Sequence, residues 1–300
     1  MQTLDALDAF AIPGQLQFRP GPGGLIFVDI DNAGGSASIA LQGAHLATFR
    51  PKAQVEPVVW LSDAARFERS KSIRGGVPVC WPWFGAHATR PAFPAHGFAR
   101  TAPWSVVDAA AGQGATDITL QLDAQAVPAA QWPHDTPLRL HIRVSDALEM
   151  RLETTNSSAA PLQLGEALHT YFRVSDVGAV SLHGLDGCDY LDKVEAFARS
   201  RQSGAVRFTQ ETDRVYVGTA AECVIDDPVL RRRIRIAKSG SASTVVWNPW
   251  TARAAAMGDF GSDGWRRMLC VESANAWDDV LTLAPGAVHA LTVRYTAEPA

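Results

Sequence analysis

The sequence predicts an all-β protein, built as a large antiparallel β-sandwich. Three observations carry this. Apolar and polar residues alternate at a period of two over most of the chain, the spacing of a half-buried strand. Turn signals recur between the runs: Pro-Gly at 20–24, Asn-Ala-Gly-Gly at 32–35, Ser-Gly at 239–240 and Ala-Pro-Gly at 284–286. Helical patterning is scarce, and only residues 64–71 read as one or two turns. Many short strands with frequent turns indicate a sandwich or barrel.

The elements follow in chain order. Residues 1–15 precede the alternation and are expected to be a poorly anchored N-terminal segment. Strands are expected at 25–30, 58–62 and 104–109. In 116–123, Ile118, Leu120 and Leu122 alternate with polar partners; Leu138, Leu140, Ile142 and Val144 do so in 138–146. Leu148, Met150 and Leu152 continue at once, so Ser145, Asp146 and Ala147 form the tight connection of a hairpin. Further strands are expected at 162–174, 205–210, 214–218, 232–238, 243–248, 267–274 and 288–296. No repeat, low-complexity tract or linker intervenes, so 1–300 reads as a single domain.

Composition narrows the classes. Of 300 residues, 47% are apolar and 19% charged, which suits a packed core and not a disordered chain. The net charge of −4 argues against a dedicated nucleic-acid binder. No apolar run is long enough for a membrane span. Acids stand near the N-terminus where a signal peptide carries bases, so a cytoplasmic protein is expected. Cys80, Cys188, Cys223 and Cys270 are far apart and expected as free thiols.

Residues 72–104 break the alternation with Pro, Gly and aromatics. A long irregular insert in a compact domain is a first place to seek a site. Arg74 and Arg100 bracket it, and paired guanidiniums suit an anion such as phosphate. His96 lies within it, but H-x-H, H-E-x-x-H and C-x-x-C are all absent, so no metal is expected.

Parity singles out two more residues. In 162–174, Leu162, Leu164, Leu168, Phe172 and Val174 share the core face. His169 lies on the other, with Gln163, Gly165, Ala167, Tyr171 and Arg173; small neighbours leave room for a ligand lying on the sheet. In 267–274, Cys270, Glu272 and Ala274 share a face. Glu is depleted in strands, and a nearly buried carboxylate needs a partner or has its pKa raised, as a general base would. Asp213, at the start of the 214–218 strand, reads alone as an ordinary turn residue. Arg231, Arg232, Arg233 and Arg235 read as a solvated strand face, and Trp247 as core.

These segments together resemble the hexose-6-phosphate mutarotases (glucose-6-phosphate 1-epimerases), a branch of the aldose 1-epimerase superfamily. The matching stretches are Ile73–Pro78 with Trp81–Gly85, His96–Arg100, Leu168–Phe172, Thr212–Tyr216 and Cys270–Ser273. The resemblance implies a sandwich of the galactose-mutarotase type, with the sugar on a concave sheet face. It implies His169 as general acid and Glu272 as general base, His96 and Asp213 on ring hydroxyls, and Arg74 and Arg100 on the 6-phosphate. It implies no metal or cofactor, a small sugar phosphate as the only partner, and a monomer.

The chemistry fits the residue types. Mutarotation removes the anomeric hydroxyl proton, delivers a proton to the ring oxygen, and reverses both after the aldehyde end rotates. A Glu carboxylate and a His imidazolium supply base and acid with modest tuning from their ordinary values. Phosphate binding energy positions a ring whose reacting end is remote from it. Two rivals stand beside this reading. A glycoside hydrolase needs a second carboxylate near Glu272, from Asp213 or Glu166. A non-catalytic carbohydrate-binding protein, which nine tryptophans suit, does not need both His169 and Glu272.

Overall fold

In the computed structural model, which describes residues 2–300, every strand ladder is antiparallel. A nine-stranded sheet runs in the spatial order Val206–Arg207, Ser181–His183, Cys223–Asp227, Arg232–Ser239, Val288–Pro299, Leu148–Thr155, Leu138–Val144, Ala115–Leu122 and Trp104–Gly112. An eight-stranded sheet runs Ala198–Arg201, Asp189–Asp192, Thr212–Tyr216, Ser243–Asn248, Met268–Asn275, Glu166–Leu168 and Val79–Cys80, with Tyr171–Arg173 also paired to Met268–Asn275. A four-stranded meander runs from Leu16 to Pro51.

The two large sheets pack face to face. One apolar cluster joins Leu140, Leu152, Ile234 and Leu291 of the first to Leu168, Phe172, Val246, Leu269 and Val271 of the second. Phe172 meets Tyr295 edge-on, with ring centroids 4.9 Å apart. Two polar ties cross the core: Trp81 Nε1 donates to Thr154 Oγ1 at 3.0 Å, and the Thr170 and Tyr295 hydroxyls share a 2.6 Å bond. Both keep buried polar atoms satisfied where a lost partner would be costly.

Several expectations need correction. Residues 64–71 form no helix. Gln42 occupies the backbone groups a helix would need, donating to the Glu68 and Lys71 carbonyls and accepting from the Ser70 N–H. Helices lie instead at Leu4–Leu7 and at Trp250–Met257, where an Ala-rich run ends at Gly258 in the left-handed region, φ 69°. The N-terminal segment is anchored: Leu7 is fully buried in the core, and Gln2 bonds the Val106 backbone in both directions. Residues 58–62 make isolated bridges only. The 162–174 run breaks into three short strands, with His169 and Thr170 between the last two. Arg232 turns inward and donates to the carbonyls of Glu56, Pro57 and Arg173, so it is no part of a solvated face.

Candidate active site

The cavity face of the eight-stranded sheet is set by strand register. Directly paired residues share a face, and the ladder places Asp213, Trp247, Cys270 and Tyr171 in one row across four strands. Val215, Val245 and Glu272 form the next row. The backbone break brings His169 beside Glu272, with the His169 N–H donating to the Pro78 carbonyl at 3.0 Å. The irregular 72–104 segment forms one wall.

A cavity of about 520 Å³ lies on this face. All six residues singled out from the sequence line it: His169, Glu272, His96, Asp213, Arg74 and Arg100. Asp213 lies within the strand Thr212–Tyr216, buried and facing the cavity, which corrects its reading as a turn residue. Trp247 is buried as expected, yet it packs edge-on against His169 at 5.9 Å and belongs to the site. His87 packs on Trp83 and Phe93, away from the cavity lining.

His169 Nε2 stands 3.4 Å from Glu272 Oε1, with side-chain exposures of 11% and 1%. The pair is otherwise under-satisfied. Among the described residues, His169 Nδ1 and Glu272 Oε2 are buried without a hydrogen-bond partner, and so is Asp213 Oδ1. Native proteins leave few such atoms, and three around one cavity mark a place where a polar ligand supplies the missing bonds. Asp213 Oδ2 is held by Lys193 Nζ at 2.9 Å.

Burial sets the protonation of the pair. It pushes His169 well below the ordinary histidine value, and the charges of His96, Arg100 and Arg74 add to this. Burial pushes Glu272 well above the ordinary carboxylate value; Asp213 adds to the rise, while Lys193 and Arg100 oppose it. His96 is driven down to about 3 by burial and by Arg100, Lys193 and Arg74. The tuning is therefore strong, not modest as the sequence suggested. Burial thus opposes charge on both members of the pair.

Cations line the cavity: Arg66, Lys71, Arg74, Arg100, Lys193 and Arg253. Arg74 Nε is held by Asp259 Oδ1 at 3.0 Å, and its guanidinium lies over the Phe260 ring at 5.0 Å. Arg100 donates to the Ala95 carbonyl, and among the described residues its other N–H groups have no partner. Arg66 and Lys71 have no carboxylate partner among the described residues. Sequence reasoning missed Lys193, Asp259, Arg66 and Lys71. They reach the site from a hairpin tip and two irregular loops, which carry no periodicity.

His169, Cys270 and Glu272 offer donor atoms within 4.8 Å of one another. They suit a cation poorly. Burial pushes the Cys270 thiol well up as it does the Glu272 carboxyl, and arginines stand near both. Metal binding needs the deprotonated ligands.

A β-sandwich with a buried acid–base pair in a cation-rimmed cavity defines a proton-transferring enzyme of small polar substrates. Comparison with known proteins narrows that class. The aldose 1-epimerase profile matches residues 27–296, and the chain belongs to this family. A protein of Escherichia coli K12 named "Putative glucose-6-phosphate 1-epimerase" is 40% identical over 253 residues, 84% of each chain. A protein of the same name from Cenchrus ciliaris is 35% identical over 260 residues, 83% of this chain and 78% of its own. The crystal structure of "a putative mutarotase (YeaD)" from Salmonella typhimurium has a TM-score of 0.88 at 31% identity, covering 100% of both chains. A galactose mutarotase-like protein from Lactobacillus casei shares the fold: TM-score 0.70 at 17% identity, over 91% of this chain and 100% of that one. The expected galactose-mutarotase type of sandwich is the fold observed.

Proposed function

We propose that the protein interconverts the α and β anomers of a hexose 6-phosphate, glucose 6-phosphate foremost, by acid–base ring opening and reclosure. The observation that carries this is the close His169–Glu272 pair, with partnerless polar atoms turned to a cation-lined cavity. The family and the names of the relatives support the same reaction.

One shared proton suffices. With the proton on His169, Glu272 takes the anomeric O1 proton while His169 gives its proton to the ring oxygen O5. The C1–O5 bond breaks and an aldehyde forms. The pair is then a carboxylic acid and a neutral imidazole, the state that burial favours in the empty site. After the C1 end rotates, His169 takes the O5 proton, O5 attacks C1, and Glu272 returns a proton to O1. Protons balance, and no cofactor enters. In this reading His96 and the partnerless Asp213 Oδ1 hold ring hydroxyls.

Arg74 and Arg100 take the 6-phosphate. They are also cations that hold His169 down, so a bound phosphate dianion favours the proton on His169. In this reading the protein acts as a cytoplasmic monomer. A two-carboxylate hydrolase gains nothing from Glu166, which lies among core-face residues and pairs with His289 at 3.2 Å.

Magnetisation-transfer NMR on glucose 6-phosphate, beside plain glucose, tests the reading. Acceleration of α/β exchange for the ester and little for glucose is expected. Equal acceleration removes the phosphate assignment; no acceleration of either by folded protein removes the enzyme assignment.

A further inference from the structure

The phenol of Tyr171 has a free proton. Arg74 Nη1 donates to Tyr171 Oη at 2.9 Å. A guanidinium has donors only, so Oη must be the acceptor in that bond. The tyrosine therefore keeps its own O–H to give, and among the described residues nothing accepts it. Burial holds the phenol well above its ordinary value, so the proton stays on near neutrality. Tyr171 lines the cavity although it is only 2% exposed.

The surrounding packing fixes that group. His169 stacks on Tyr171 with ring centroids 5.0 Å apart and planes 13° from parallel. Trp60 stacks on Tyr171 as well, at 5.8 Å and 25°, and Phe260 continues the column beyond Trp60 at 5.7 Å. Phe260 also lies under the Arg74 guanidinium, and its chain neighbour Asp259 holds Arg74 Nε. One column of rings thus joins the arginine to the imidazole, with Tyr171 touching both.

We infer that Tyr171 is a binding residue for the anionic group of the substrate, donating its O–H to a phosphate oxygen that Arg74 also grips. This rests on the hexose-phosphate reading above. Asp259 uses only Nε, so Nη1 has a second hydrogen and Nη2 has two. An oxygen accepting from these lies within reach of an Oη that is itself 2.9 Å from Nη1. A phosphate oxygen is an acceptor without competing protons, and bonds to ionised groups are the stronger ones. The same contact places His169: a phosphate seated on Tyr171 and Arg74 sets the sugar at a fixed offset from the imidazole stacked on that ring.

The test is the affinity of inorganic phosphate for the whole protein, by calorimetry, in wild type, Tyr171→Phe, Arg74→Lys and the double variant. Tyr171→Phe keeps the ring column and removes only the donor. Phosphate affinity is expected to fall about tenfold, as loss of a charge-assisted hydrogen bond implies. The double variant is expected to lose less than the product of the single losses, because the two groups share one oxygen. The ratio of kcat/KM for glucose 6-phosphate to that for glucose is expected to fall with the affinity. Equal phosphate affinities in wild type and Tyr171→Phe overturn the inference, as does an equal fall in turnover of both sugars, which a purely structural role would give. If wild type itself binds no phosphate, the hexose-phosphate reading fails and takes this inference with it.

Discussion

The hairpin Leu138–Val144 with Leu148–Thr155 and the strand Met268–Asn275 are both antiparallel and both pack on the core, yet they obey different rules. In the hairpin every other residue is buried, and the buried set is apolar apart from Thr154, which is bonded to Trp81. The outward residues pair across strands, as Arg143 does with Asp117 at 2.8 Å. In Met268–Asn275 all eight residues are buried, three of them polar or ionisable apart from the cysteine: Glu272, Ser273 and Asn275 lie among Met, Leu, Val and Ala. Asn275 finds partners in Gly240 and Asp279, but Glu272 Oε2 finds none. The hairpin is built for stability alone. The strand carries an unsatisfied group at the cavity, which stability does not favour and substrate chemistry requires.

Substitutions on the two elements are expected to separate these roles. The largest effect is Glu272→Gln, which removes the proton acceptor while keeping shape. Loss of one general acid–base group lowers kcat by about 10²–10⁴-fold, about 3–5 kcal/mol of barrier. Thermal stability is expected to hold or rise. A variant that keeps full exchange activity would break the comparison. Next is Leu140→Ala, fully buried in the hairpin. It is expected to lower unfolding free energy by about 2–5 kcal/mol, read by denaturant midpoint, with the kcat of the folded fraction intact. The smallest is Arg143→Ala. Its ion pair has side chains 40% and 43% exposed, so the change in stability is expected at about 0–1 kcal/mol. A larger loss would show that the outer face of the hairpin does more than stay soluble.

The same contrast explains what the sequence disclosed. The hairpin was readable residue by residue, because period-two alternation is a direct image of one buried face. Parity also separated His169 from Leu168 and Phe172, and Cys270 and Glu272 from Leu269 and Val271, since the sheet buries these faces against different clusters. Burial on both faces hid the boundaries of those strands. Asp213 looked like a turn residue because its strand begins two residues earlier than the alternation showed. Lys193 and Asp259 were invisible for another reason: they reach Asp213 and Arg74 through tertiary approach of loops. The strength of the pKa shifts also depends on burial and on arginines brought in from elsewhere, which spacing along the chain does not encode.

The central claim is that His169 and Glu272 act as one buried pair sharing one proton. The pH dependence of kcat/KM for anomer exchange tests it most directly. A lowered His169 means the second proton is gained only below the ordinary histidine value of 6.5, and a raised Glu272 means the shared proton is lost only well above the ordinary carboxylate value of 4.5. The shared-proton account therefore predicts a plateau that crosses pH 6.5 unchanged, after correction for the titration of the substrate phosphate, and an acid limb below it. A descending limb centred near 6.5, the signature of an ordinary imidazolium acting alone, would contradict it.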